Sequence, residues 1–307
     1  MKLCITHTTQ YTYQSAVSDS VNEVRLTPFT NEQQSCFQHA IHVEPNASLF
    51  SYEDYFGNRV HAFAVNEAHG RMMIRTQMTV VTKEEAQPEI KEGGMSPEEE
   101  WAWLAADEAG NGFAEYLLPT DYTAITPEVT AYAESIAAGG MNRCGPSNIS
   151  DILDASNASG ASVFDWLTCL CERIRTEFVY DPMATDVTTV AGDMFVRRRG
   201  VCQDFAHLMI AACRAWGVPA RYVSGYHFVG DLQGGSADFE QATHAWVEAY
   251  APGIGWCGFD PTNDGRVGER YVKLCHGRDY KDIVPVKGVY RGMGDATLDV
   301  IVDVKRV

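Results

Sequence analysis

Arg199-Gly200-Val201-Cys202-Gln203-Asp204-Phe205-Ala206-His207 sets a cysteine just after a glycine and at the start of a strongly apolar helical pattern. A helix N-terminus carries partial positive charge, which favours a thiolate over a thiol. At about 100° per residue, Phe205, Ala206, Met209, Cys213 and Trp216 fall within about 60° of Cys202. Leu208 and Ala212 widen that stripe, so the helix is expected to be largely buried against a sheet. Gly217 and Pro219 end it. His207 lies about 140° round from Cys202. Its ring points away, and it reads as a structural histidine bonded to a neighbour.

Further on, Thr243-His244-Ala245-Trp246-Val247-Glu248-Ala249-Tyr250 alternates, with His244, Trp246, Glu248 and Tyr250 on one face. Ala251-Pro252-Gly253 is turn-like, and Ile254 to Asp260 returns until Pro261 stops it. A hairpin with its loop at 251–253 pairs Tyr250 with Ile254 and, by the same register, His244 with Asp260. Directly opposed residues share a face, with Cβ atoms about 4.5–5.5 Å apart. A carboxylate could then hold one imidazole nitrogen and leave the other for Cys202. Cys202, His244 and Asp260 together read as a nucleophile, its base and the orienter of that base. Taken alone, Asp260 would be a turn carboxylate capping Pro261-Thr262-Asn263.

The chain has 307 residues, 45% of them apolar, which is enough for two globular domains. Its formal net charge of −17 argues against a nucleic-acid partner and for a soluble acidic surface. No segment approaches a membrane span in length, and the first residues lack the apolar core of a signal peptide. Nine scattered cysteines, with no Cys-x-x-Cys pair, suggest free thiols in a reducing cytoplasm and no structural zinc site. Apart from Cys202, the cysteines read as small buried apolar residues.

Residues 1–82 look all-β: Ile5 to Tyr13 and Met72 to Val81 are rich in β-branched and aromatic side chains, and Asp54-Tyr55-Phe56-Gly57-Asn58-Arg59 reads as a turn. Residues 83–95 have a linker composition. Ser96-Pro97-Glu98-Glu99 starts a helix, Thr126-Pro127 opens a second that Gly139-Gly140 closes, and Ser162 to Asp165 begins a third running to about Tyr180. Strands are expected at Arg221–Tyr226, His244–Tyr250 and Trp256–Asp260, a polar loop at 231–241, and a last alternating strand through Leu298, Val300, Val302 and Val304.

Four segments of this core, Gly200 to His207, Gly217 to Tyr226, His244 to Glu248 and Gly258 to Asn263, resemble bacterial transglutaminase-like proteins. His7-Thr8-Thr9-Gln10-Tyr11-Thr12-Tyr13 and Asp54 to Asn58 resemble the β-domain that precedes this core in the family. Gly277-Arg278-Asp279-Tyr280 and Pro285 to Tyr290 resemble its C-terminal part. The resemblance implies an α+β fold: a papain/transglutaminase-like core of helices plus antiparallel sheet, preceded by an N-terminal β-sandwich. The expected organisation is a β-domain at 1–82, a linker at 83–95 and a catalytic unit at 96–307. The centre of that unit lies at about 160–265, and its C-terminal strands at 285–307. Carried over by position, Cys202 is the nucleophile, His244 the base and Asp260 the orienter. Phe29 after Pro28, Cys257 and His276 depart from the family's usual choices without touching this set.

The implied activity is acyl transfer or hydrolysis at a glutamine carboxamide or peptide bond through a thioester. The expected partners are a protein or peptide substrate and, for transamidation, a small amine. Water as acceptor would make the same chain a cysteine peptidase or amidase. A non-catalytic binding protein on the same fold is a second class, and a zinc site of Cys202, His244 and Asp260 a third. No cofactor or metal is expected. Animal members of the wider superfamily need calcium, but Asp260 to Gly265 lacks the alternating ligand spacing of a calcium loop. Nothing in the sequence fixes an oligomeric state.

Overall fold

The computed structural model describes residues 1–84, 94–138, 160–230, 243–263 and 265–307. Most of the expected linker, the Gly139-Gly140 helix end, Cys144, the 231–241 loop and Asp264 lie outside these residues.

The N-terminal region holds β1 (Lys2–Val24), β2 (Gln34–Glu44), β3 (Phe50–Glu53), β4 (Arg59–Val65) and β5 (His69–Thr82). The long strand β1 organises them. Its first half pairs antiparallel with β5, from Lys2 opposite Val81 to Thr12 opposite Arg71. Its second half pairs with β4, Ser20 opposite Val65. The β1–β5 register shifts between Thr12 and Val17, where β1 passes from one arm to the other. β2 extends the first arm on β5, and β3 extends the second on β4. Alternation buries Leu3, Ile5, His7 and Thr9 on one face of β1.

The rest of the chain is mixed. The helices are α1 (Pro97–Leu104), α2 (Asp107–Gly112), α3 (Ala114–Leu117), α4 (Pro127–Ala138), α5 (Val163–Glu177), α6 (Ala191–Arg197) and α7 (Cys202–Ala215). The expected start signals operate. Ser96 and Glu99 form a full capping box on α1, and Ser162 accepts from the Asp165 N–H on α5. Two short strands, β6 (Val179–Tyr180) and β7 (Arg199–Gly200), pair in parallel. The main sheet combines β8 (Ala220–His227), β9 (Thr243–Ala251), β10 (Gly255–Asp260), β11 (Gly265–Arg266) and β12 (Tyr271–Gly277) in the order β11-β10-β9-β8-β12. This is the expected α+β core of helices on an antiparallel sheet.

The helix α7 is the centre of that core. Every residue from Asp204 to Cys213 is buried. Ala245, Val247, Ala249 and Ala251 of β9 are buried in the same apolar cluster as the helix. Their small side chains let it approach the sheet closely. On the polar side of α7, Arg214 is satisfied internally. Arg214 donates to the Tyr116, Ala220 and Arg278 carbonyls and to Thr123 Oγ1, at 2.6–3.1 Å.

Two strands remain, β13 (Val286–Arg291) and β14 (Ala296–Arg306). The sequence groups them with the catalytic unit. Their hydrogen bonds run to the N-terminal strand instead: β13 lies along the second half of β1, and β14 along the first half, Leu3 opposite Arg306 to Tyr13 opposite Ala296. The chain therefore ends on the sheet where it began. Two side-chain amides lock this sheet to β12. Gln34 and Asn58 each donate to and accept from the backbone of Lys273 and His276 respectively, at 2.8–2.9 Å.

Candidate active site

Cys202 is the first residue of α7, after Val201 in extended conformation. The Asp204 carboxylate reaches back to the Val201 N–H at 2.8 Å and accepts from Thr185 Oγ1 at 2.6 Å, which fixes the helix start. The glycine before it has a steric cause. A Cβ on Gly200 would lie 2.7 Å from the Asp204 carboxylate. Cys202 remains partly exposed, while Cys213 on the same helix is fully buried, and burial pushes that thiol's pKa up. Cys4, Cys36, Cys202, Cys213 and Cys275 are free thiols.

His244 sits near the start of β9 and is 8% exposed. Its Nε2 lies 2.6 Å from Asp260 Oδ2, and it lines the same cavity as Cys202, whose side chain acts on the ring. With Nε2 committed to the carboxylate, Nδ1 is the atom left for sulfur. The structure thus brings all three expected residues together in the order sulfur, imidazole, carboxylate. Burial by itself would lower the His244 pKa; the Asp260 carboxylate overrides it and raises the ring to about 10. Burial would raise Asp260, but the His244 ring and surrounding donors hold its carboxyl well below the usual range.

The route by which Asp260 reaches His244 differs from the expected one. Ala251 pairs with Gly255, Tyr250 with Trp256 and Val247 with Phe259, so the loop is 252–254 and the hairpin register is shifted by two. Gly253 and Gly255 both have positive φ, which lets the turn close one position later. A shift of two keeps every side chain on its face, since the strand period is two. Asp260 stays on the side of His244 and approaches it diagonally.

Asp260 also performs the turn role that its neighbours suggested. Oδ1 accepts from the Thr262 and Asn263 N–H groups at 2.9 and 3.2 Å. Oδ2 accepts from His244, from Asn263 Nδ2 at 2.8 Å and from Tyr271 Oη at 2.8 Å. Asn263 Nδ2 also comes within 3.2 Å of His244 Nε2. Both atoms are donors when Nε2–H faces Asp260, so this approach adds no second bond. Asn263 and Tyr271 are site residues that sequence reasoning missed. Asn263 stood in a quoted motif without a role, and Tyr271 arrives from β12 with no local signal.

His227, His244 and Asp260 offer nitrogen and oxygen atoms within 4.8 Å of one another, a grouping that could in principle hold a metal. Five donors already converge on the two Asp260 oxygens, which have about four lone-pair sites. No acceptor capacity remains for a cation, and Cys202 is not in the group. His207 is fully buried between the rings of Tyr122 and Tyr222 and accepts from the Tyr280 N–H at 3.2 Å. It is the structural histidine expected from the helical wheel. Burial lowers its pKa to about 3, so it stays neutral.

A cavity of about 340 Å³ opens at Cys202 and His244. On the same face of β9 as His244, Glu248 pairs with both Arg221 and Lys273 at 2.6 Å. This buried cluster is separate from the cavity lining. Among the described residues, no helix is long and apolar enough to cross a membrane.

Comparison with known proteins points to one family. Residues 3–81 match the bacterial transglutaminase-like N-terminal region, and residues 155–261 match the transglutaminase-like superfamily. An uncharacterised protein of Mycobacterium leprae is 33% identical over 307 residues, covering 100% of this chain and 99% of the relative. A protein-glutamine gamma-glutamyltransferase of Pseudomonas aeruginosa is 36% identical over 107 residues, which is 31% of this chain and 15% of that protein. A solved structure from Cytophaga hutchinsonii, provisionally named a cysteine protease, shares the fold. Its TM-score is 0.67 at 22% identity, over 99% of this chain and 90% of that one.

Proposed function

This chain belongs to the transglutaminase-like superfamily, and on that premise we propose that it is a thiol enzyme acting on a carboxamide or peptide bond through Cys202. The observation that carries this reading is the His244–Asp260 pair at 2.6 Å, which opens with Cys202 on one cavity. The sulfur attacks the carbonyl carbon, and the proton it shares with the ring stays on His244. The Cys202 backbone N–H, at the helix start, donates to the developing oxyanion. Collapse of that intermediate breaks the C–N bond, and His244 gives its proton to the departing ammonia or amine. The product on the protein is a thioester.

An incoming amine or water then attacks the thioester and passes a proton to His244, and the Cys202 sulfur leaves. Acylation is common to both outcomes, so the acceptor alone separates transamidation from hydrolysis. The substrate we infer is a protein or peptide. We place the enzyme in the cytoplasm, a reading supported by the free thiols of Cys4, Cys36, Cys202, Cys213 and Cys275.

The test is ammonia release from glutamine peptides, with and without an added primary amine, followed by mass spectrometry of the products. Wild type is expected to release ammonia, and Cys202→Ala to release none. An equal rate in both proteins would contradict the proposal.

A further inference from the structure

The segment His7-Thr8-Thr9-Gln10-Tyr11 plays no part in the triad, yet it stands out in the β-domain. Strand alternation puts His7, Thr9 and Tyr11 on one face of β1. Across the ladder, Thr9 lies opposite Val300 and Tyr11 opposite Leu298 on β14. Opposed residues share a face. All five side chains line the cavity that also holds Cys202 and His244. The first and last strands of the chain therefore form the wall facing the nucleophile.

That wall is built without charge. The described lining contains no aspartate, glutamate, lysine or arginine, in a chain whose net charge is −17. His7 is 3% exposed and fixed at both ring nitrogens, to Tyr226 Oη at 2.8 Å and Thr9 Oγ1 at 3.1 Å. Burial lowers its pKa to about 4, so it too is neutral near pH 7. Leu298 and Val300 remain 53% and 48% exposed, apolar side chains presented at the cavity with no partner strand outside them among the described residues. A pocket of about 340 Å³ lies within the range of ordinary ligand sites, roughly 300–1,000 Å³.

We propose that β1 and β14 form the specificity wall of the acyl-donor pocket. It accepts a peptide whose side chain beside the attacked carbonyl is uncharged and apolar, and it rejects lysine or aspartate there. The inference rests on the reading of Cys202 as nucleophile. The physical cause is desolvation: a charge placed against β1 and β14 loses water and finds no counter-charge on that wall. The overall acidity of the protein would draw basic peptides towards it, so the pocket and the surface pull in opposite directions.

The experiment compares matched peptides bearing Leu, Gln, Lys or Asp at that position, by kcat/KM, in wild type, Val300→Glu and Leu298→Glu. Wild type is expected to favour Leu over Lys by about 10²-fold. Either glutamate variant should cut that preference at least tenfold by supplying a counter-charge. Alkylation of Cys202 by iodoacetamide, followed in parallel, reports the nucleophile independently of the wall. Selective alkylation with equal turnover of all four peptides, or with a preference unmoved in both variants, would overturn the proposal. If wild type shows no selective alkylation and no turnover, the catalytic reading fails instead. Binding of the same peptides to Cys202→Ala then decides for the wall. A Leu-over-Lys preference upholds it, and equal binding removes it.

Discussion

Asp260 divides its work between two oxygens: one closes a turn and the other holds a buried imidazole. That arrangement fixes how the site should answer to pH. His244 is raised from 6.5 to about 10, so its stabilising charge is fully present below about pH 6.5 and is lost as pH rises through 10. Asp260 is depressed, so its contribution is present above pH 3.8 and lost as pH falls further. The basic limb of kcat/KM is therefore expected near pH 10. In Asp260→Asn, burial of His244 goes unopposed and that limb should fall below 6.5, with kcat reduced about 10²–10⁴-fold. A profile unchanged between the two proteins would contradict the assignment. Tyr271→Phe removes one of three donors to Oδ2 and is expected to lower kcat about tenfold, with KM little changed. Of these residues, Cys202, His244 and Asp260 could be found from helix position and strand alternation. Tyr271 could not, because nothing near it in the chain marks the carboxylate it reaches.

At the scale of elements, the helix α7 and the strands β8, β9 and β10 follow from local pattern. The apolar stripe, the glycine stop and the alternation all read from neighbouring residues. The hairpin register did not, because two glycines with positive φ permit a turn one position later than composition suggests. The error was harmless to the site only because it was even. The Gln34 and Asn58 clamps were also out of reach, since each amide stands in for a strand partner on β12, more than 200 positions away. Asn58 is fully buried, and Asn58→Ala would leave the His276 N–H and carbonyl unpaired between the two units. The expected loss is about 2–4 kcal/mol, seen as a lower urea midpoint at unchanged slope. A midpoint within error of wild type would show that the clamp carries no stability. Glu248→Gln strips two buried cations of their shared carboxylate and is expected to cost about 3–5 kcal/mol in the same assay.

Over the whole molecule, the chain closes on itself. β13 and β14 run along β1, so the last strands belong to the sheet of the first and meet the cavity at Cys202 from that side. Sequence pattern located the last strand but not its partner, because strand pairing at such separation leaves no periodic trace in either segment. The net charge of −17 acts at this scale as well. It should steer a cationic amine acceptor towards the protein and leave a neutral one unaffected. Raising ionic strength from about 0.01 M to about 0.15 M shortens the screening length from about 30 Å to about 8 Å. The kcat/KM for a diamine acceptor is then expected to fall several-fold, with that for hydroxylamine unchanged. Equal salt dependence for both would remove the steering argument.

All of this depends on His244 making one sulfur unlike the other thiols. The most direct measurement is the rate of iodoacetamide alkylation at each cysteine at neutral pH, resolved by peptide mass spectrometry, in wild type and His244→Ala. In wild type, Cys202 is expected to react about 10²-fold faster than the partly exposed Cys4 and Cys36, and the histidine variant should bring it down to their rate. Cys202 reacting no faster than those two in the wild-type protein would contradict the account.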